Sequence, residues 1–249
     1  MWDSRQVLVV ATSCLLFGIA GCGGGDAIEP ESASLESAQA AREKPPSITI
    51  TAATIFYPAT GYTPAPLDIY VDVNSGGGLV GEYTGLIAYW AQTFVATARA
   101  PTSLTIAVGN NLPSDVPPAP FKFKMVLTEA LGTDTDFTAG RILWESGVAS
   151  IPAVQTNAAY EATFQIKGPR LTVGKRYAWI IDTYTTRDGE PDAGYFMGNE
   201  SATPYSDGRA YWKLAGGEGR AQDFATSWRT WSAPIDAAFL LRSASEKTR

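Results

Sequence analysis

Histidine is absent from all 249 residues of this sequence. That absence excludes the Ser-His-Asp and Cys-His arrangements of nucleophilic catalysis and the zinc sites that are built on histidine. It also removes the side chain that ordinarily exchanges protons near neutral pH. Carboxylate-pair chemistry and lyase chemistry based on Tyr, Lys or Arg remain open, because neither needs an imidazole.

Positive charge and cysteine are also scarce. The 19 Lys and Arg residues are scattered and are outnumbered by 25 Asp and Glu, which gives a formal net charge of -6. Nucleic-acid binding needs a concentrated basic footprint, so we expect no nucleic-acid partner. The two cysteines, Cys14 and Cys22, both precede the segment that is rich in β-forming residues. The sequence therefore predicts a fold without disulfides, stabilised by packing.

The first residues have the pattern of an export signal. Arg5 supplies a positive charge, and residues 7–20 form an uncharged apolar run that is short for a membrane span. The run closes with Leu16-Phe17-Gly18-Ile19-Ala20-Gly21-Cys22, which resembles the lipobox of bacterial lipoproteins. The resemblance implies a signal peptide over residues 1–21, cleavage before Cys22 and lipid on its thiol. Several acyl chains would make anchoring stable. The alternative is an ordinary secretory signal with a chance cysteine.

Residues 22–46 contain almost no bulky apolar side chain, so we predict a lipidated flexible tether there. Residues 243–249 are predicted to be a disordered tail. Gly23, and not Asp, follows Cys22. The resemblance to sorted lipoproteins then implies a cell-envelope location, at the outer membrane if the cell is Gram-negative.

Residues 47–242 alternate between apolar and polar side chains in short segments, which predicts an all-β domain. The clearest strand spans residues 159–166, with Tyr160, Phe164 and Ile166 expected in the core and Glu161 on the wet face. No amphipathic helix is predicted. About ten strands suggest an antiparallel two-sheet β-sandwich. The other predicted strands are 47–56, 67–73, 87–97, 104–108, 121–127, 142–145, 177–183, 210–214 and 237–241.

Several short motifs carry a family resemblance. They include Gln92-Thr93-Phe94, Leu143-Trp144-Glu145-Ser146-Gly147, Tyr177-Ala178-Trp179 and Asp236-Ala237-Ala238-Phe239. These residues, within a stretch of about 88–242, look like bacterial extracellular jelly-roll domains, which resemble carbohydrate-binding modules. The resemblance implies a jelly-roll sandwich. Its motifs are mainly packing and turn positions, so they inform the fold more than the function.

Aromatic side chains are dense near the C-terminus, among polar residues such as Asn199, Asp207 and Arg209. Sugar rings stack on such aromatics while neighbouring polar groups bind the hydroxyls. Trp212 and Trp228 lie beside Gly-rich or polar stretches, which allow a side chain to face outward. The alternative is that these rings are core, as is expected for Trp90, Trp144 and Trp179. The ligand-binding candidates are Tyr195, Tyr205, Trp212, Trp228 and Trp231.

Two acidic segments space carboxylates two residues apart, as calcium ligands often are. They contribute Asp134 and Asp136 in one segment, and Asp188, Glu190 and Asp192 in the other. Neither completes an EF-hand loop, so we prefer a solvated acidic turn and keep a structural calcium ion as the alternative.

The sequence thus favours a membrane-anchored, non-catalytic binding lipoprotein, with a glycan as its expected ligand. A structural or assembly role against another envelope protein is the second hypothesis, and a carbohydrate-active enzyme is the third. Exposed aromatics beside a groove would favour a glycan, a broad apolar patch a protein partner, and paired carboxylates in a cleft an enzyme.

Overall fold

Two antiparallel β-sheets pack face to face in a computed structural model of the chain. The all-β, two-sheet sandwich predicted from residue alternation is confirmed; its finer jelly-roll connectivity stays a prediction. The predicted signal peptide, the tether with Cys22, and residues 245–249 lie outside the described residues. The structure describes residues 47–56, 62–73, 77–80, 87–110, 119–153, 158–186, 194–199, 205–216, 219–230 and 235–244, all within the unit Lys44–Arg249.

Fourteen strands are found among these described residues, with one short α-helix, α1 (Arg220–Ala225), and a 3₁₀ turn at Tyr184–Thr186. No described helix has both the length and the apolar character needed to span a membrane. In chain order the strands are β1 (Ile48–Ala52), β2 (Ile69–Val71), β3 (Gly77–Val80), β4 (Ile87–Val95), β5 (Pro101–Asn110), β6 (Phe121–Gly132), β7 (Phe137–Ile151), β8 (Ala158–Gln165), β9 (Arg176–Asp182), β10 (Gly194–Asn199), β11 (Ala210–Leu214), β12 (Arg229–Thr230), β13 (Asp236–Ala237) and β14 (Phe239–Ser243).

Strand β5 lies at the centre of the first, eight-stranded sheet. It pairs with β8 along one side, and with β14 and then β10 along the other. Strand β1 lies beyond β8, β2 beyond β14, and both β3 and β13 pair with β10. The second, six-stranded sheet has the order β12-β11-β4-β9-β6-β7.

The inner faces of the two sheets form the core. Trp90, Trp144 and Trp179 are buried there, which confirms their predicted packing role. Strand β6 follows its predicted alternation, with its aromatic and aliphatic residues inside and Lys122 and Lys124 on the other face. Burial of such large side chains supplies the principal driving force for folding.

Residues 53–56, together with Tyr62 and Val73, cover part of the outer face of the first sheet, which corrects one prediction. Glu161 was expected on a wet face but is only 6% exposed, because the chain around Thr54 crosses above it. The amides of Thr54 and Ile55 donate hydrogen bonds to Glu161 Oε1, which satisfies the buried carboxylate. Leu67, the first residue of the predicted strand 67–73, is partly exposed, because strand β2 begins only at Ile69.

Residues 219–228, which we call the strap, cover part of the outer face of the second sheet. The strap contains α1 and buries Phe224 and Trp228 against Tyr89. Other described segments of the chain therefore cover part of the outer surface of each sheet.

Candidate functional site

A cleft of about 200 Å³ opens at one end of the sandwich. It lies where the turn between β6 and β7, the segment 205–209 and the start of β13 meet. Its lining includes Asp134, Tyr205, Ser206, Gly208, Arg209 and Asp236.

Close backbone packing positions the segment 205–209. A Cβ atom at Gly208 would overlap the carbonyl oxygen of Thr93 on β4, so this approach requires glycine. The next residue is also held by β4: Arg209 N donates to Thr93 Oγ1 (2.9 Å), and Thr93 N donates to the Arg209 carbonyl (2.9 Å). The start of the Arg209 side chain is thereby fixed at the cleft.

A buried hydrogen-bond network anchors the floor of the cleft. Asp236 is 1% exposed. Its Oδ1 accepts from Gln92 Nε2 (2.8 Å), and its Oδ2 accepts from Tyr205 N (2.6 Å). Gln92 Oε1 in turn accepts from Ala237 N (2.9 Å). Because Gln92 belongs to the second sheet and Asp236 to the first, the network links the two sheets.

Burial raises the pKa of Asp236 to about 6, although its hydrogen bonds and the charge of Arg209 act in the opposite direction. Burial likewise raises the pKa of Tyr205 to about 12, so its phenol stays protonated at neutral pH. The Tyr205 ring packs edge-on against Phe239, at 6.0 Å between ring centroids. One side of this ring therefore contacts the core while the residue lines the cleft.

The two carboxylates of the cleft differ in how far the protein occupies them. Both oxygens of Asp236 accept the hydrogen bonds given above. The Asp134 side chain is 68% exposed, and its Oδ1 forms an ion pair with Arg176 Nη2 at 2.9 Å. Within the described chain the Arg209 guanidinium and the Ser206 hydroxyl make no hydrogen bond and no ion pair. Among the described residues, the cleft thus has unpartnered donors, one occupied buried carboxylate and one exposed carboxylate.

The aromatic candidates lie in different environments. Tyr205 is half-buried at the cleft. Trp212 is half-buried against the core, with the Arg229 guanidinium 5.1 Å from its ring centroid. Trp228 is 3% exposed, so its ring belongs to the core, which was the alternative for these aromatics, and it does not face outward. The strap holds the Trp228 ring against Phe137, a contact that no local sequence pattern predicts.

Two aromatic candidates remain predictions. The backbone of Tyr195 lies in β10, paired with Gly109, but its side chain is not among those described. Trp231 lies outside the described residues.

The carboxylates suggested for calcium have protein partners where they are described. Besides the Asp134 ion pair, Asp136 Oδ1 accepts a hydrogen bond from Ser227 Oγ (2.6 Å). Among the described residues, no three potential metal-ligating side chains gather into a group. Asp188, Glu190 and Asp192 lie outside that part of the chain.

A second polar cluster, which the sequence did not predict, lies beneath the strap. Arg220 binds Asp182 Oδ2 (3.1 Å) and Glu145 Oε2 (2.9 Å), and Lys124 binds Glu145 Oε1 (3.0 Å). Burial opposes the ionisation of Glu145, but Arg220 and Lys124 together lower its pKa. The carboxylates share one guanidinium, which makes them a clamp on the strap. The contact between Arg220 and Glu145 joins residues 75 positions apart, so no local sequence motif predicts it.

Comparisons with protein-family models, curated proteins and solved structures find no match to this chain. A functional proposal for this chain therefore rests on the chemistry of the site itself.

Proposed function

We propose that this chain is a lipid-anchored, non-catalytic binding protein of the cell envelope, and that its cleft holds part of a glycan. The observation that carries the proposal is the pairing of the Tyr205 ring with the free donors of Ser206 and Arg209 in one concave site. A sugar needs an apolar surface for its C–H groups and directional donors for its oxygens. The volume of the cleft suits one sugar residue of a longer chain.

The carboxylates of the cleft favour binding over hydrolysis. A glycosidase needs one carboxyl group to protonate the leaving oxygen and a second to attack or to activate water. Here Asp236 holds Gln92 and the Tyr205 amide, and Asp134 is paired with Arg176. Both groups would have to abandon structural partners to act on a substrate.

The anchor belongs to the proposal because of the lipobox-like segment that ends at Cys22. Lipid on this cysteine would hold the protein at a membrane, the outer membrane in a Gram-negative cell. Replacement Cys22→Ser should release the protein from membranes into the soluble fraction. Retention of that variant on membranes, removable by detergent, would contradict the anchor.

An assembly role is the second candidate, because strand β7 ends the order of its sheet among the described strands. It carries two exposed apolar side chains, Ile142 and Val148. A long edge strand with exposed apolar residues can pair with a strand of another protein. Because these two residues are separated along the strand, they support a protein partner less strongly than the cleft supports a glycan.

A glycan array tests the binding proposal with the full mature chain in detergent. Ser206→Trp places a bulky ring in the cleft at an exposed position, and Ser150→Trp makes the same change on β7, away from the cleft. We expect wild type and Ser150→Trp to bind the same glycans and Ser206→Trp to lose them while keeping the wild-type circular dichroism spectrum. No signal from folded wild type would reject the glycan and favour the protein partner.

A further inference from the structure

The cleft is asymmetric in its hydrogen-bonding capacity. The Arg209 guanidinium carries five N–H donors and no acceptor, and Ser206 can also donate. Neither group has a hydrogen-bond partner among the described residues, and both line the cleft. A ligand that enters therefore meets donors in excess.

The buried carboxylate of the cleft is occupied, and its exposed carboxylate has an ion-pair partner. Asp236 accepts from Gln92 and from the Tyr205 amide, and the Asp134 carboxylate is held by Arg176. The main-chain carbonyl of Asp134 accepts from Tyr211 Oη at 3.0 Å. A neutral sugar hydroxyl offers a donor as well as an acceptor, whereas a carboxylate only accepts. The arrangement of free groups is thus complementary to an anion.

Arginine adds geometric selectivity to this complementarity. Its planar fork matches the two oxygens of a carboxylate, and such charge-assisted pairs are stronger than neutral hydrogen bonds. The oxygens of Asp236, a carboxylate in the same cleft, already face Gln92 and Tyr205. Arg209 has a coulombic influence on Asp236 but forms no ion pair with it in the described structure. Its fork is therefore available to a ligand.

We propose that the glycan held in the cleft is acidic, and that the Arg209 guanidinium binds the carboxylate of a uronic acid residue while Ser206 donates beside it. This inference rests on the proposed glycan-binding function. Tyr205 would contact the apolar side of the sugar ring. The cleft would then distinguish a uronic acid from the corresponding neutral sugar by its carboxylate alone.

Isothermal titration with matched oligosaccharides tests this inference. The full mature chain in detergent is titrated with oligogalacturonate and with the matching neutral galactose oligomer, and likewise with glucuronate and glucose oligomers. We expect the acidic member of at least one pair to bind about tenfold more tightly or better. Its affinity should fall as salt rises from about 50 mM to about 500 mM, because screening weakens the contact.

Three variants assign the effect to Arg209. Arg209→Gln should remove the preference for the acidic oligomer, so that the variant binds the acidic and the neutral member equally weakly. Arg209→Lys should keep only part of the preference, because an ammonium lacks the planar fork. Arg141→Gln is the control: Arg141 is 74% exposed, is absent from the cleft lining and pairs only with Glu129 among the described residues. Unfolding temperatures of all variants establish that they are folded.

The outcomes separate the inference from the function on which it rests. Equal affinity for the acidic and neutral members, or an unchanged preference in Arg209→Gln, would overturn the acidic assignment and leave glycan binding standing. The acidic assignment would also be overturned if oligogalacturonate and oligoglucuronate both bound no more tightly than acetate. Folded protein that binds no saccharide on the array or in titration would overturn both proposals.

Discussion

Gly208 is a residue at which the neighbouring backbone leaves no room for a side chain. A side chain here would meet the Thr93 carbonyl, which belongs to a buried strand and cannot move aside cheaply. We expect Gly208→Ala to lower the free energy of unfolding by roughly 2–3 kcal/mol. Urea unfolding measures this loss. Gly147→Ala is the matched control, because its new Cβ meets only Ile48 Cδ1, at an ordinary 3.9 Å, and its stability should stay near that of wild type.

Asp236 should give stability a distinct pH dependence. Its folded pKa, about 6, lies above the ordinary value of 3.8, so between these pH values the folded state binds a proton that the unfolded state releases. The contribution of this group is therefore present below about pH 4 and is lost as the pH rises through 6, with a total of up to roughly 3 kcal/mol. The change is the reverse of that for a carboxylate with a lowered pKa, such as Glu145.

The comparison of wild type with Asp236→Asn isolates this effect from other titrating groups. The variant should be relatively more stable at about pH 7.5 than at about pH 4.5, because it cannot acquire the buried charge. Urea unfolding at both pH values measures the difference. A stability difference that does not change between them would show that Asp236 titrates in the folded protein as it does in the unfolded chain.

The strap is joined to two strands of the second sheet by one charged side chain. Arg220 joins it to β9 through Asp182, which is 0% exposed, and to β7 through Glu145. Arg220→Met would leave the buried carboxylate without its cation. Because solvent reaches the guanidinium, we expect a moderate loss of about 1–3 kcal/mol, with faster amide exchange across α1. Arg141→Met, which breaks an exposed pair, should change stability by less than about 0.5 kcal/mol. Unchanged exchange in α1 would contradict the clamp.

At the level of elements, sequence patterns predicted what short-range alternation encodes. Strand β11 was predicted with its exact bounds, and β8 to within one residue at each end. The sequence of β8 alternates between apolar and polar residues, and β11 is a short run with two aromatic residues. Strand β7 was predicted as only four of its fifteen residues, since register shifts in its pairing with β6 interrupt the alternation. The six-residue α1 is too short to show a helical period.

The candidate site was predictable only in part, for a related reason. Tyr205 was proposed from its aromatic character and lines the cleft. Asp236 was noted only within a packing motif, and its contact with Gln92 joins residues 144 positions apart. The burial of Trp228 and Glu161 also depends on segments that cross above them from elsewhere in the chain. Burial of this kind arises from tertiary contacts, so no local sequence pattern predicts it.

The described sandwich combines a core without cysteine with a buried polar connection between its two sheets. Both cysteines precede the described residues. Apolar packing in the described sandwich is therefore not reinforced by a covalent link. The hydrogen bonds of Gln92 connect β4 in one sheet to β13 in the other. A satisfied buried network of this kind fixes the alignment of the sheets, whereas apolar contacts alone are less directional.

Replacement of Gln92 should therefore affect the whole sandwich. Gln92→Ala leaves Asp236 Oδ1 and the Ala237 amide without their partner, and we expect a loss of roughly 3–4 kcal/mol. Core tryptophan fluorescence and far-ultraviolet circular dichroism should both report the lower urea midpoint, and the two transitions should coincide. Gln165→Ala, on β8, is the control and should have a small effect. Separate transitions for the two probes in wild type would mean that the sheets unfold independently although Gln92 is present, and would contradict the coupling. Because the same carboxylate holds the Tyr205 amide, coupled sheets also predict weaker glycan binding by folded Gln92→Ala, with no change in Gln165→Ala.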